Sequence, residues 1–555
     1  MTRAPSFSAW LDDFFASYNR HRPVNATHIG LHDYDDRLPD YSAAGIGDAL
    51  ADAEGLLGRL HGLPAEPLAP AEAIDRQLAA GFLEIQAWEL RSAHGPLGNP
   101  CAYTGEAIFG LISLLRRPFA PLEQRLAPLL ARMEAIPAFL AQGQMNLREA
   151  PAGWVERAID ECVGAEKLLS AGLDQLIDSA QIDGAPLRRA ANQAAAAFDD
   201  FRRHLVDTVR PSSPEAYSCG PQALDLLIRR GHFLPFDAEA IAQQAQAEIT
   251  ASQLYLADHA ADFGAPSPGA ALAQLAEIHP TAERYYGRYG ELWAACRASA
   301  EQHELLSWPE SPIRFVPQPS WARAAAPHLY FLFYHAAPPF DKLPGFEYLV
   351  TPIEPELPPD EQLRLLRATN ESVIKLNHVV HHGAIGHHVQ NWHAARAESR
   401  IGQIAAVDCA TRIAMFCGGT MAEGWACYAT DLMDEIGFLT PLERYAERQT
   451  RLRMAARAFV DVRLHQGELT LETAAVFYRD QVGMPPAAAH GEAVRNSMFP
   501  GTALMYLTGT DLIHQLRGQL AARPGFSLRS FHDRFLAHGS IPVALIAEAM
   551  RAGEA

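Results

Sequence analysis

The densest chemistry in the chain lies in the stretch Asn377-His378-Val379-Val380-His381-His382-Gly383-Ala384-Ile385-Gly386-His387-His388-Val389-Gln390, with His393 just beyond it. Six of the 23 histidines fall within these sixteen residues, 378–393. Neutral imidazole is the commonest transition-metal ligand, and few other demands on a protein call for it at such density. The first expectation is therefore a site for one divalent transition metal. The alternative is a histidine-rich helix end beside a polar pocket.

The element that carries these side chains has to be distorted. On an unbroken α-helix, His378 and His382 stand one turn apart and His381 and His388 two turns apart, so no regular helix brings all of them to one point. Gly383 and Gly386 are poor helix formers at which the backbone can kink. A distorted helix with His381 and either His387 or His388 facing one ion is the economical arrangement.

Upstream, Ile313-Arg314-Phe315-Val316-Pro317, His328-Leu329-Tyr330-Phe331-Leu332-Phe333-Tyr334 and Phe346-Glu347-Tyr348-Leu349-Val350 are short β-branched and aromatic runs bounded by prolines. They predict a small sheet beside the histidine helix. Nearly everything else reads as helix. Apolar side chains recur at three- and four-residue spacing over 7–20, and long stretches rich in Ala, Leu, Glu, Gln and Arg follow at 43–65, 70–93, 122–145, 151–180 and 185–210. A second series covers 237–261, 268–276, 280–304, 440–466, 470–481, 486–496, 502–520 and 527–537. Between the first two helices, the segment from Pro23 to Asp40, punctuated by Gly, Pro and Asp, reads as a connector. After the cluster, Thr420 to Thr430 opens a helix whose apolar stripe is Met421, Trp425, Tyr428 and Leu432. Periodicity puts Glu423 on the opposite, polar face.

With 555 residues the chain is too long for one ordinary core. The expected organisation is mostly α and two-lobed, with residues 1–236 as an N-terminal helical lobe and 237–555 as a lobe carrying the histidines and the sheet, packed as one body. Composition is that of a globular protein, 48% hydrophobic and 20% charged. The net charge of −19 argues against a nucleic-acid partner. The seven cysteines are scattered and form no C-x-x-C pair, as expected of buried reduced thiols. An acidic pair follows the first residues before any signal-like apolar run, and no stretch approaches a membrane span. These features together predict a cytoplasmic protein without a membrane partner. Oligomeric state is not legible.

The order of motifs resembles the bacterial family called domain of unknown function 885, whose members look like zinc metallopeptidases of the gluzincin kind. The likeness runs from Pro23-Val24-Asn25-Ala26-Thr27-His28-Ile29-Gly30 and Tyr34-Asp35-Asp36-Arg37-Leu38-Pro39-Asp40 to Leu528-Arg529-Ser530-Phe531-His532-Asp533. The family's central pattern, H-E-x-x-P-G-H-H, reads here as His381-His382-Gly383-Ala384-Ile385-Gly386-His387-His388. Its E-G-W-A is Glu423-Gly424-Trp425-Ala426, and its late E-x-x-R-Y and P-G-Q-A-x-x-Y become Glu492-Ala493-Val494-Arg495-Asn496 and Pro500-Gly501-Thr502-Ala503-Leu504-Met505-Tyr506.

The resemblance implies a helical metallopeptidase-like fold with zinc held by His381, by His387 or His388, and by Glu423, and a small-molecule or short-peptide substrate. It implies roles for Arg495 in holding a substrate carboxylate and for Tyr506 in stabilising an oxyanion. Surface pairing of Glu492 with Arg495, and a core position for Tyr506, are the alternatives. The departures bear on chemistry. His382 replaces the glutamate that would act as general base, Ile385 replaces Pro, Asn496 replaces Tyr and Thr502 replaces Gln. Three readings follow: amide hydrolysis with His382 as substitute base; a more nitrogen-rich centre with non-hydrolytic chemistry in specialised metabolism; and a binding protein that keeps the frame without catalysis.

Overall fold

The computed structural model describes residues 6–64, 67–212, 217–329, 338–341, 343, 345–405 and 416–552. Helices dominate, and the described strands form one two-stranded sheet. Many helices begin where the side chains supply their own caps: Ser6, Ser42, Asp237, Ser267 and Thr440 each accept a hydrogen bond from the first turn of the helix that follows. Among the described residues, no helix is long and apolar enough to cross a membrane.

Contacts divide the chain into two units. The first joins Met1–Cys219 to the returning segment Gln318–Pro344; the second joins Gly220–Pro317, Gly345–Ala406 and Phe416–Ala555. The division at Cys219/Gly220, rather than after residue 236, has a packing cause. His232, fully buried, donates its Nε2 proton to the Gly501 carbonyl at 2.7 Å, which ties the helical stretch Pro221–Gly231 to the C-terminal unit. The returning segment is held in the first unit by His328, whose Nδ1 lies 2.6 Å from an Asp160 carboxylate oxygen.

In the first unit, Phe7–His21, Ala43–His61, Pro70–Glu89, Leu122–Asn146, Ala152–Lys167 with its continuation to Ala180, and Ala185–His204 follow the expected helices. Cys101–Arg116 is a helix that periodicity does not reveal, because it is buried around most of its circumference and so carries no polar stripe. The expected connector from Pro23 to Asp40 is also different. Pro23–Ile29 is a helix buried along its whole length. Arg132, with no exposed surface, fixes it by donating to the Pro23, Tyr34 and Arg37 carbonyls and to Thr27 Oγ1.

In the second unit, β1 (Ile313–Pro317) and β2 (Phe346–Val350) pair in parallel with Phe315 opposite Tyr348. The middle run of the three that predicted strands is not one of them where it is described: His328 ends a short helical turn, and residues 330–334 lie outside the described residues. The sheet lies against the histidine segment. A Cβ on Gly383 would stand 2.7 Å from Phe315 Cζ, and the Tyr348 hydroxyl is 2.7 Å from His378 Nδ1. The helices Gly419–Glu435, Pro441–His465, Pro486–Met498 and Met505–Ala521 complete the surroundings.

Candidate metal centre

The histidine segment is a widened helix over Val373–Gly383, whose amides reach five residues back, followed by a sharp turn and a new helix, His387–Ala394. Lys375 anchors its start through a buried pair with Glu443 at 2.7 Å. The turn is closed by Ala384 N–H to Val379 O and Gly386 N–H to Val380 O, at 2.8 and 2.9 Å. Gly386 is required there: a Cβ would stand 1.9 Å from the His381 carbonyl oxygen. Two indoles clamp the same turn, Trp293 donating to Gly383 O at 3.0 Å and Trp425 to Ile385 O at 2.9 Å.

This distortion sorts the histidines. His381, His382 and His387 bring one ring nitrogen each to within 4.8 Å of one another. His388 turns away and donates from Nε2 to the Ser311 carbonyl at 2.8 Å, while His378 is engaged by Tyr348. The turn starts the second helix so that His387, rather than His388, faces back toward His381 and His382.

Glu423 approaches the same point from the helix Gly419–Glu435. Its Oε2 lies 3.4 Å from His381 Nε2 and 3.6 Å from His387 Nε2. The position of Glu423 depends on its neighbours in sequence. Gly424 crosses Gly509 of Met505–Ala521 so closely that a Cβ at 424 would stand 2.6 Å from the Gly509 backbone, and Trp425 ties the helix to the histidine turn. Periodicity assigns Glu423 to a polar face; its side chain turns to His381 and His387 and keeps only 18% of its exposure.

The electrostatics suit ligation. Burial lowers the His381 pKa despite the adjacent Glu423, and burial together with the neighbouring imidazoles holds His382 well below its ordinary value, so both rings stay neutral. Burial alone would raise the Glu423 carboxyl, but His387 and His381 outweigh it and hold it well below the ordinary range, leaving a carboxylate. His382 Nδ1 is 2.7 Å from the Asn377 carbonyl; a carbonyl only accepts, so Nδ1 carries the proton and Nε2 the lone pair.

The donor set fits a first-row divalent ion. Bonds of 2.0–2.1 Å at tetrahedral angles separate two ligand atoms by about 3.4 Å. Charge-assisted hydrogen bonds are shorter, about 2.7–2.9 Å. The carboxylate-to-imidazole distances therefore match ligands around an ion better than a direct ion pair.

The late-chain residues gather around a second focus. Glu492 pairs with Arg457 at 2.6 Å, and Arg495, one third exposed, is 4.0 Å from the same carboxylate. The Arg457 guanidinium lies 5.3 Å from the Tyr506 ring. Asp461 accepts from the Gly501 and Leu504 amides at 2.9 and 3.0 Å and so fixes the Pro500-Gly501 turn, with Gly501 at φ +70°, that leads into the Tyr506 helix. Sequence reasoning passed over Arg453 and Arg457, which share the Pro441–His465 helix with Asp461 and His465. Their signal was available: four polar side chains at four-residue spacing on one face of a helix, all drawn inward. Arg453 links the two foci, since its charge acts on His381 as well as on Glu492 and Tyr506. Glu447 on the same helix was also missed; burial, reinforced by Asp431, pushes its carboxyl up to about 8.

Two solved structures share the fold. One is described as "a putative lipoprotein of unknown function" from Shewanella oneidensis, 22% identical, covering 99% of this chain and 100% of the other with a TM-score of 0.76. The second, "the putative lipoprotein" from Colwellia psychrerythraea, is 16% identical over 99% of both chains with a TM-score of 0.78. No curated protein matches the chain. The expectation of a cytoplasmic protein does not survive these neighbours: both are described as lipoproteins, and a short acidic start carries no weight against that. Residues 23–550 match the family described as bacterial protein of unknown function (DUF885), and the chain belongs to that family.

Proposed function

We propose that the protein is a metal-dependent hydrolase that cleaves an amide bond in a small peptide or amino-acid conjugate. The observation that carries the reading is the convergence of His381 Nε2 and His387 Nε2 on one oxygen of Glu423, at 3.4 and 3.6 Å. These three side chains would hold the ion, zinc by resemblance to the metallopeptidase pattern. Two imidazoles and a carboxylate are the ligand set of a catalytic rather than a structural zinc site. When bound, the ion supplies Lewis-acid polarisation of the scissile carbonyl.

The chain's own residues supply the proton chemistry. His382 stands where the family places its glutamate, and with Nδ1–H fixed on Asn377 O its Nε2 can take the proton of an attacking water. An imidazole that gains a proton becomes a cation, whereas a carboxylate becomes neutral, so the exchange of base alters the charge balance of the pocket during turnover. Arg495 and Tyr506 are the candidates for holding a substrate carboxylate and a developing oxyanion.

One observation favours a second reading. One ring nitrogen of His382 lies within 4.8 Å of those of His381 and His387. Three imidazoles and a carboxylate would suit an iron, manganese or copper ion and chemistry other than hydrolysis.

The test is cleavage of N-acyl amino acids and dipeptides by metal-stripped protein, by protein reloaded with zinc, and by His382→Glu. The hydrolase reading expects zinc-dependent cleavage by the native chain and its loss in Glu423→Ala. If only His382→Glu cleaves, the native site is not built for hydrolysis and the second reading takes its place.

A further inference from the structure

Two fully buried side chains hold the turn at residues 500–504 by its backbone. Asp461 accepts from the Gly501 and Leu504 amides at 2.9 and 3.0 Å, and His232 donates from Nε2 to the Gly501 carbonyl at 2.7 Å. The chain is bent to present His232: Phe233, next to it, is held at φ +55°, a left-handed conformation that a bulky side chain rarely adopts. Leu504 precedes the helix Met505–Ala521 and supplies no side-chain cap, so Asp461 caps that helix from its own, Pro441–His465. Further along the capped helix, Gly509 lies against Gly424. A Cβ on Gly509 would stand 2.8 Å from Gly424 Cα, one on Gly424 would stand 2.6 Å from Gly509 Cα, and Thr510 Oγ1 donates to the Gly424 carbonyl at 3.3 Å. Two backbones this close cannot slide independently. Glu423 is the residue before Gly424.

We propose that His232 and Asp461 are positioning residues of the candidate metal centre: they fix the turn at Gly501, the turn fixes where the helix Met505–Ala521 begins, and the crossing of Gly509 with Gly424 passes that position to Glu423. The proposal rests on reading His381, His387 and Glu423 as metal ligands. Two clamps are needed because glycine is free to rotate. Asp461 holds an amide on one side of Gly501 and His232 holds the carbonyl on the other, so both peptide planes are fixed. An ionised carboxylate accepts at both oxygens, which lets Asp461 hold two amides at once. A carbonyl only accepts, so the His232 proton sits on Nε2, and burial brings the ring down to about 4 and keeps it neutral. The tolerance at the far end is small, since the ligands of a bound ion must stay within about 0.2 Å of their bond lengths. A displaced turn is therefore felt at Glu423 as lost affinity.

The test compares wild type, Asp461→Ala, His232→Leu and His232→Gln as full chains. Burial pushes the Asp461 carboxyl up to about 7, so the measurements are made at pH 8, where it is ionised. Amide hydrogen exchange is read on the metal-free protein, zinc affinity by chelator competition, and ligand geometry by the visible spectrum of the cobalt-saturated protein. Asp461→Ala and His232→Leu should speed exchange at residues 501–509 and also at 421–426, and shift the cobalt bands. Zinc affinity should fall by about ten- to a hundredfold in Asp461→Ala and about three- to tenfold in His232→Leu. His232→Gln, whose amide can still donate to Gly501 O, should recover most of each effect. A general loss of stability would leave the cobalt spectrum of the folded, saturated protein unchanged. Zinc affinity and cobalt bands that stay at wild-type values in the folded variants would overturn the proposal, and so would exchange at 421–426 that does not respond. If Asp461→Ala does not fold, the contrast between His232→Leu and His232→Gln decides. Wild-type protein that binds neither zinc nor cobalt would sink the metal reading, and exchange at 421–426 would then decide alone whether the two clamps position Glu423.

Discussion

Among the described groupings of imidazole with carboxylate, two are built to opposite ends. In the N-terminal unit, His32 is held between Asp35 and Asp341, with each ring nitrogen 2.9 Å from a carboxylate oxygen, and its ring stacks on Phe119 at 3.8 Å. Burial lowers its affinity for a proton, but the two carboxylates outweigh burial and raise the pKa to about 9. This is a cation clamped by hydrogen bonds. In the C-terminal unit the proportions invert: three imidazoles face one carboxylate, and the separations lengthen to 3.4 and 3.6 Å. With His381 and His382 held neutral by burial and the carboxylate at a spacing too long for charge-assisted bonds, the cluster is suited to a positive charge that the side chains do not supply. Stoichiometry and spacing, rather than the presence of histidine and acid together, separate a structural ion cluster from a candidate metal centre.

The largest effect that can break this contrast is loss of the ion. His387→Ala and Glu423→Ala should each weaken zinc binding by more than about a hundredfold in competition with a chelator, beyond what losing a residue that only orients a ligand costs. His388→Ala, which removes only the hydrogen bond to Ser311, should leave zinc binding nearly intact and cost about 1–2 kcal/mol of stability. Equal losses at 387 and 388 would dissolve the distinction drawn by the turn.

Next in size is the turn itself. Gly386→Ala forces a Cβ to 1.9 Å from the His381 carbonyl oxygen, so the segment must shift. The expected cost is about 3 kcal/mol or more in denaturant unfolding, with metal affinity falling alongside. A fully stable, metal-binding variant would mean that the turn is not what positions His387.

A smaller effect comes from the clamp between the Glu423 helix and the histidine turn. Trp425→Phe keeps the ring but loses the bond to Ile385 O, and zinc affinity should fall by about tenfold. Chelator competition measures it.

The gathering of these side chains was partly legible in the sequence, and the residues show why. The crowding of His381, His382, His387 and His388 around two glycines marks a distorted helix, because imidazole density and weak helix formers are local properties of the chain. Which of 387 and 388 faces inward is not local: it depends on the five-residue register of Val373–Gly383 and on a turn closed by Trp293 and Trp425. Glu423 was readable only through the likeness of its E-G-W-A segment, since periodicity distinguishes polar from apolar faces and says nothing of whether a polar face meets solvent or a pocket. Arg453 was missed for the same reason. Cys101–Arg116 was missed because a helix buried on nearly all sides carries no period, and Pro23–Ile29 because the side chain that organises it, Arg132, lies far along the chain.

The smallest prediction sharpens the other half of the contrast. The folded-state pKa of His32, about 9, lies above its ordinary 6.5. Its clamp therefore contributes fully below pH 6.5 and is lost as pH rises through about 9. With His32 about one third exposed, the contribution is about 1–2 kcal/mol after solvent screening. Unfolding free energies compared between pH 6 and pH 10 should show that loss in wild type and its absence in His32→Gln, and zinc should change neither slope.

The most direct test of the metal centre is anomalous diffraction at the zinc edge from crystals of the zinc-loaded protein. The account predicts one dominant peak within about 2.0–2.2 Å of His381 Nε2, His387 Nε2 and a Glu423 carboxylate oxygen. A peak ligated by His388 in place of His387, or zinc-loaded crystals with no peak among these three side chains, would contradict it.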